Sequence, residues 1–239
     1  MILIVAGTGT GVGKTAVTAA LAALHPGRAA ALKPAQTGVV PGEAGDADEV
    51  ARLAPGTAVC ELERYPDPLA PATAATRAGR PGVRAADAAR AARALARDHD
   101  LVLVEGAGGL LVRLHAAGDT LADVAAELGA PLLLVVRAGL GTLNDTAMAV
   151  EAIAARGLSC AGTVVGSWPA RPDLAARCNI ADLEEVSGLP LLGALPEGAA
   201  ALRPRDFAAA AESALTPPGC TECGGPPPPR PRVTCGVCC

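Results

Sequence analysis

Aromatic residues are almost missing from this chain of 239 residues, which has one Tyr, one Trp and one Phe: Tyr65, Trp168 and Phe207. Large flat rings therefore cannot fill a core, and Val, Leu, Ile and Ala must do so. That favours short buried strands with small-residue helices packed close against them. Long hydrophobic runs are missing too. The run at 131–136 stops at Arg137, far short of the roughly 20 apolar residues that span a bilayer. The short apolar run at the N-terminus has no basic region before it, so it does not read as a secretion signal, and a cytoplasmic protein is expected. No basic block occurs anywhere, and 20 Lys and Arg against 24 Asp and Glu give a net charge of −4. This argues against a nucleic-acid surface and against membrane attachment. No Ser–His–Asp or Cys–His arrangement is visible. His25, His99 and His115 stand apart from one another and from the glycine-rich loops, and read as structural or solvated.

Eight cysteines are present. Cys60, Cys160 and Cys178 are scattered, as free core thiols are. Cys220, Cys223, Cys235, Cys238 and Cys239 crowd the end as two Cys-x-x-Cys units around a Gly/Pro-rich spacer. The arrangement resembles a zinc-ligand set, but the spacer is short and nearly devoid of apolar residues, so a disordered tail is expected. Apolar periodicity fades from Pro217, which divides the chain into a domain at 1–216 and a tail at 217–239.

What the chain does have is an opening of unusual information content. An apolar run at 2–6 breaks into glycines at 7, 9, 11 and 13, followed by Lys14, Thr15, Ala16 and an alanine-rich helix. A strand turning through small residues into a helix aims backbone N–H groups and the positive helix end at one point, which suits a phosphate. In this reading Lys14 supplies a positive charge to the outer phosphates. The Thr15 hydroxyl then joins a Mg²⁺ shell. The loop is a variant P-loop, with Thr8 where the usual pattern has its first glycine. Further strands are expected at 29–33, 101–104, 132–136, 163–165 and 191–192. Helices are expected at 15–24, 46–53, 84–97, 120–128, 144–156 and 179–186. Alternating helices and continuous apolar strands predict an α/β fold of the P-loop NTPase kind: one parallel sheet, covered by helices on both faces, with ligands beyond the strand C-termini.

Those strand ends carry the candidate chemistry. Glu105 closes an apolar strand and is followed by Gly106, Ala107, Gly108 and Gly109. A carboxylate there can hold Mg²⁺, although a solvated strand-end charge is the plainer alternative. Lys33 ends the second strand just before Pro34, and its side chain is expected to point into the site, giving with Lys14 two positive charges for phosphoryl transfer. Asp46 and Asp48 are even on spacing alone: either completes the metal shell, or either caps a helix.

Four stretches then agree in order and spacing: Gly-Thr-Gly-Thr-Gly-Val-Gly-Lys-Thr, Lys-Pro-x-Gln-Thr-Gly, Val-Glu-Gly-Ala-Gly-Gly-Leu-Leu-Val and Gly-Thr-Leu-Asn. Together they resemble the dethiobiotin synthetases, over residues 1–214 and excluding the tail. The resemblance implies a ligase of biotin biosynthesis that joins 7,8-diaminononanoate and CO₂ at the expense of Mg·ATP. It passes through a carbamate and a carbamic–phosphoric anhydride to dethiobiotin, ADP and phosphate. It further implies Lys33 as the catalytic lysine, with Lys14 and Thr10 beside it, and Thr15, Asp46 rather than Asp48, and Glu105 as Mg²⁺ ligands. By the same resemblance Gly11, Val12, Gly13, Lys14, Thr15 and Ala16 wrap the phosphates, and nucleotide contacts extend to Gly106, Ala107, Gly108, Gly166, Ser167, Pro196, Glu197 and Gly198. Thr37 and Gly108 contact the substrate, and a homodimer is implied in which Leu140, Leu143 and Asn144 reach into the neighbouring site. Gly166-Ser167 departs from the purine-reading Asn of many members, which leaves the base preference open. A switch ATPase of the partition or septum-placement kind is the rival reading, although its second loop lysine is replaced here by Thr8, Gly9 and Thr10.

Overall fold

A computed structural model describes residues 1–217; the tail cysteines lie outside the described residues. Seven strands form one parallel sheet in the order β3-β2-β4-β1-β5-β6-β7. They are β1 (Ile2–Gly7), β2 (Ala29–Thr37), β3 (Ala58–Tyr65), β4 (Leu101–Glu105), β5 (Leu132–Val136), β6 (Cys160–Trp168) and β7 (Leu191–Pro196). The helices are α1 (Lys14–Leu24), α2 (Asp46–Leu53), α3 (Pro71–Arg77), α4 (Ala85–Leu95), α5 (Leu121–Leu128), α6 (Thr142–Ala154), α7 (Leu174–Ser187) and α8 (Pro204–Ala214).

Period-2 alternation inside the continuous apolar strands divides the core. Leu3 and Val5, Leu101 and Leu103, and Leu133 and Val135 pack against α1, α2 and α8. Ile4 and Ala6, Val102 and Val104, and Leu132, Leu134 and Val136 pack against the helices of the other face. Alternate side chains of a strand point to opposite faces, so a strand covered on both sides is apolar throughout. Alanines at the contacts, such as Ala19 and Ala20 on α1 and Ala88 and Ala92 on α4, are fully buried and let helix axes approach the sheet closely. Phe207 on α8 fills the first face, while Tyr65 belongs to the second.

Three elements, β3, α3 and α8, lie outside the sequence expectation, and β2 runs four residues past Lys33. β3 is an edge strand that carries Glu61, Glu63 and Arg64 within its eight residues, so it lacks the apolar run of the inner strands. β2 and β4 stay in register from Ala29↔Leu101 to Leu32↔Val104. Beyond that β2 keeps only β3 as partner, as far as Thr37↔Tyr65. The sheet therefore forks at its C-terminal edge between β2 and β4, and Lys33 is the first residue past the fork.

Candidate active site

The loop after β1 is held by a close backbone contact. Gly13 adopts φ 94°, a left-handed conformation that other residues seldom enter. A Cβ there would lie 2.4 Å from the Gly166 carbonyl oxygen, and one on Gly166 would lie 2.0 Å from the Val12 carbonyl oxygen. Gly166 thus sits beneath the phosphate loop, where no side chain fits. The Lys14 ammonium is folded back onto the Gly9 carbonyl oxygen at 2.8 Å. Burial, and then the nearby Lys33, lower the Lys14 pKa to about 8, with Glu105 and Asp46 opposing the change.

Lys33 leaves the fork pointing inward. Its ammonium donates to Glu105 Oε1 at 2.9 Å and to the Gly106 carbonyl at 3.0 Å, and pairs with Asp46 Oδ2 at 2.5 Å. Thr15 Oγ1 donates to the same Glu105 oxygen at 2.9 Å. Burial alone would lower the pKa of Lys33, but Glu105 and Asp46 outweigh it and hold the group above its ordinary value. Burial would likewise raise Asp46. The charge and hydrogen bond of Lys33, with help from the Thr15 hydroxyl, hold that carboxyl below the usual range instead. One buried cation is therefore gripped by two carboxylates and the carbonyl of a glycine.

Asp46 and Asp48, even on spacing alone, meet different partners. Asp46 is the first residue of α2 and faces Lys33, whereas Asp48 turns back to accept from the Gly45 N–H at 2.8 Å and fastens the helix start. The histidines stay out of the site: His99 Nδ1 meets the Leu95 carbonyl and His115 Nδ1 accepts from the Ala117 N–H. Asn144 lies inside the first turn of α6, where Gly141 is the cap residue.

A cavity of about 790 Å³ brings together Thr10, Gly11, Gly13, Lys14, Thr15, Ala16, Lys33, Thr37, Asp46, Glu105, Ala107 and Gly108. That size suits a ligand of substantial length. Val12 is buried in the loop, and Gly106 contributes its carbonyl through Lys33. Other candidates lie outside the cavity. Ser167, Pro196, Glu197 and Gly198 are exposed, with the β6 and β7 ends tied by Glu197 N–H to the Trp168 carbonyl at 2.7 Å. Leu140 is 91% exposed, and Leu143 and Asn144 stand on α6 away from this chain's own cavity. Several lining residues carried no signal in the sequence, Pro68, Leu69, Ala70, Pro71 and Ala200, while Val112 was visible only as the end of the third motif. They are apolar and, with Val112, arrive from three separate stretches of chain. Gln36 was visible only as part of a motif. It accepts from the Asp46 N–H at 2.8 Å.

The cavity thus has two ends. Around the phosphate loop it is polar and cationic; toward Leu69, Pro71 and Val112 it is apolar. The oxygen donors at Thr15, Asp46 and Glu105 are hard, and an ammonium already sits among them, so the set fits Mg²⁺. Among the described residues no cluster of three or more His, Cys, Asp or Glu gathers. Magnesium characteristically takes one or two carboxylates and completes its octahedron with water and substrate phosphates.

A family model described as an AAA domain matches residues 2–205. The ATP-dependent dethiobiotin synthetase BioD of Saccharopolyspora erythraea is 64% identical over 216 residues, covering 90% of this chain and 96% of the relative. The protein of the same description from Streptomyces coelicolor is 62% identical over 220 residues, covering 91% and 92%. Among solved structures, the cell division ATPase MinD of Pyrococcus furiosus matches with a TM-score of 0.54 at 20% identity, over 88% of this chain and 96% of that one. The Cyanothece McdA–ATP complex matches with a TM-score of 0.53 at 14% identity, over 87% of each chain. These two likenesses concern the fold alone.

Proposed function

The chain belongs to the ATP-dependent dethiobiotin synthetases, ligases of biotin synthesis, and from that premise we propose how its cavity carries out the reaction. The observation that carries the reading is Lys33, gripped by Asp46 and Glu105 at the junction of a phosphate-binding end and an apolar end of one cavity. 7,8-Diaminononanoate needs such a junction, because its two amines sit at one end of a methylene chain. The apolar wall of Leu69, Pro71 and Val112 suits the methylenes, and Thr37 and Gly108 lie beside the amine end.

One amine captures CO₂, forming a C–N bond and releasing a proton, to give a carbamate. Lys33 and Thr10 orient its oxygen toward the γ-phosphorus of ATP. That oxygen forms the new P–O bond as the bond to ADP breaks, while Lys14 and the N–H groups of the loop stabilise charge on the phosphoryl oxygens. A carbamate is a poor electrophile, and phosphorylation converts its oxygen into a leaving group. The second amine then attacks the carbonyl, expels phosphate and loses a proton as the ureido ring closes. Holding both amines in one cavity makes that step intramolecular. Thr15, Asp46 and Glu105 hold Mg²⁺, whose role is to neutralise phosphate charge.

The 91% exposure of Leu140, just before α6, and the 55% exposure of Met148, midway along it, support a homodimer in which this segment covers the neighbouring cavity. Gly166 carries no side chain and Ser167 is exposed, so neither offers the paired amide bonds that select a purine. ATP is the phosphoryl donor in this reading, with discrimination against other triphosphates weak. No helix among the described residues is long and apolar enough to cross a membrane, and the reading places the protein in the cytoplasm.

The test is phosphate release from Mg·ATP and bicarbonate, with and without 7,8-diaminononanoate, while dethiobiotin is followed by mass. Diamine-dependent release matching dethiobiotin one for one is expected. Hydrolysis that ignores the diamine and yields no dethiobiotin would instead favour a nucleotide switch.

A further inference from the structure

Asp46 reaches the site from a stretch with little of its own to fix it, since residues 40–44 are exposed. What ties the stretch down comes from two residues that face each other across strands, Gln36 on β2 and Arg64 on β3. Gln36 takes the Asp46 N–H. Arg64 does more: Nη1 donates to the Glu43 carbonyl at 2.6 Å, and Nη2 donates to Asp48 Oδ2 at 3.2 Å. That same Asp48 oxygen accepts from the Gly45 N–H. The guanidinium is itself held at two points by Glu61, at 2.6 and 2.9 Å. Gly45 is enclosed between the two side chains; a Cβ there would lie 3.0 Å from both Arg64 Nη2 and Gln36 Oε1.

We propose that Arg64 is a positioning residue for the metal corner, bolting the segment that carries Asp46 onto the edge of the sheet. It lines no part of the cavity and touches no reacting atom. It acts through Glu43 and Asp48, so that Asp46 begins α2 with its carboxylate already turned toward Lys33 and Glu105. Only a planar fork with five donors can bind the Glu61 carboxylate, a carbonyl and a second carboxylate at once; an ammonium offers no such fixed geometry. The inference rests on the reading of Asp46 as a magnesium ligand.

Mn²⁺ affinity is measured by electron paramagnetic resonance on the full chain loaded with a non-hydrolysable ATP analogue, without diamine. The Mg²⁺ concentration for half-maximal dethiobiotin formation is measured alongside. Groups that orient metal ligands typically cost 10–100-fold in affinity when removed, so Arg64→Met is expected to lose about tenfold. Its kcat at saturating Mg²⁺ and its KM for the diamine should stay close to those of the parent, with Arg64→Lys falling between. If Arg64→Met does not fold, Glu61→Gln loosens the guanidinium without removing it and should weaken Mn²⁺ in the same direction. Unchanged Mn²⁺ affinity in a folded variant, or a lower kcat without a metal shift, overturns the proposal while Asp46→Asn still weakens the metal. Should Asp46→Asn bind Mn²⁺ as the parent does, the metal reading of the site falls, and the role of Arg64 with it.

Discussion

Replacing Lys33 by methionine keeps much of the side-chain volume and removes the ammonium, so its first effect should be on stability. Lys33 is 4% exposed and Glu105 3%, and their charges stand 2.9 Å apart. At an effective dielectric near 20, Coulomb attraction at that distance is about 6 kcal/mol. Part of this only offsets the desolvation of both groups, and breaking a buried pair by removing one partner costs about 3–5 kcal/mol. The Asp46 side chain is 37% exposed, so solvent screens that pair and little is added for it. Glu105 keeps the Thr15 hydroxyl as a partner, which puts the expectation at the low end, about 3 kcal/mol. For a domain of this length that is a fall in melting temperature of about 6–12 °C. Thermal melts with and without Mg²⁺, in the absence of nucleotide, provide the assay. The variant leaves two carboxylates with no cation in direct contact and only Lys14 nearby, so Mg²⁺ should recover part of its loss while hardly moving the parent. Lys33→Met combined with Glu105→Gln should melt higher than Lys33→Met alone. A Lys33→Met melting temperature within about 2 °C of the parent, or an equal response of both proteins to Mg²⁺, would refute the argument.

Two further outcomes follow from the loop. Gly166→Ala places a Cβ where only 2.0 Å separates it from the Val12 carbonyl, so the phosphate loop must shift and nucleotide affinity should fall by about tenfold or more, roughly 1.4 kcal/mol. Trp168 fluorescence can report this as a titration, and an unchanged Kd would mean that the loop yields without loss. With its pKa lowered to about 8, Lys14 in the empty site loses its proton as pH rises through that value, and an arriving phosphate favours the charged form. Nucleotide binding at pH 8 should therefore take up about half a proton per site, and almost none near pH 6.5. Calorimetry in buffers of different ionisation enthalpy measures the uptake; its absence at pH 8 would remove Lys14 from the phosphate contacts.

Local patterns made the phosphate loop, Lys33 and Glu105 legible, because each lies where a buried apolar run stops and is followed by proline or glycine. The inner strands were legible for the same reason: burial on both faces writes itself as an uninterrupted apolar run. β3 escaped because an edge strand with partly exposed faces tolerates Glu61, Glu63 and Arg64 within one short run. α8 escaped because alanines and single charges dominate it, with only Phe207 and Ala211 buried. Asp46 and Asp48 could not be separated by spacing, since two residues on one helix turn differ only in which neighbour they meet, and those neighbours are Lys33 and Gly45. The apolar end of the cavity left almost no trace. Leu69 and Pro71 look like any other apolar residues until the fold brings them beside Val112, which was visible only as the end of a motif. Gly166 read as an omission beside the nucleotide base, yet the packing gives it a second and stricter reason, the loop lying against its backbone.

The fork between β2 and β4 has a consequence for where this fold can afford charge at all. In a parallel sheet roofed on both sides, an inner strand ordinarily cannot admit an imino acid without leaving a gap in the ladder, nor a cation without burying its charge. Past Leu32 that constraint lapses on one side of β2. Pro34, with no N–H to offer, sits where one neighbour has already departed, so the strand loses less there than it would between two partners. The vacated edge is also where the Lys33 ammonium finds the Gly106 carbonyl. Reaction and architecture thus share a single seam: the line along which the sheet stops bonding to itself is the line along which it can bond to something else.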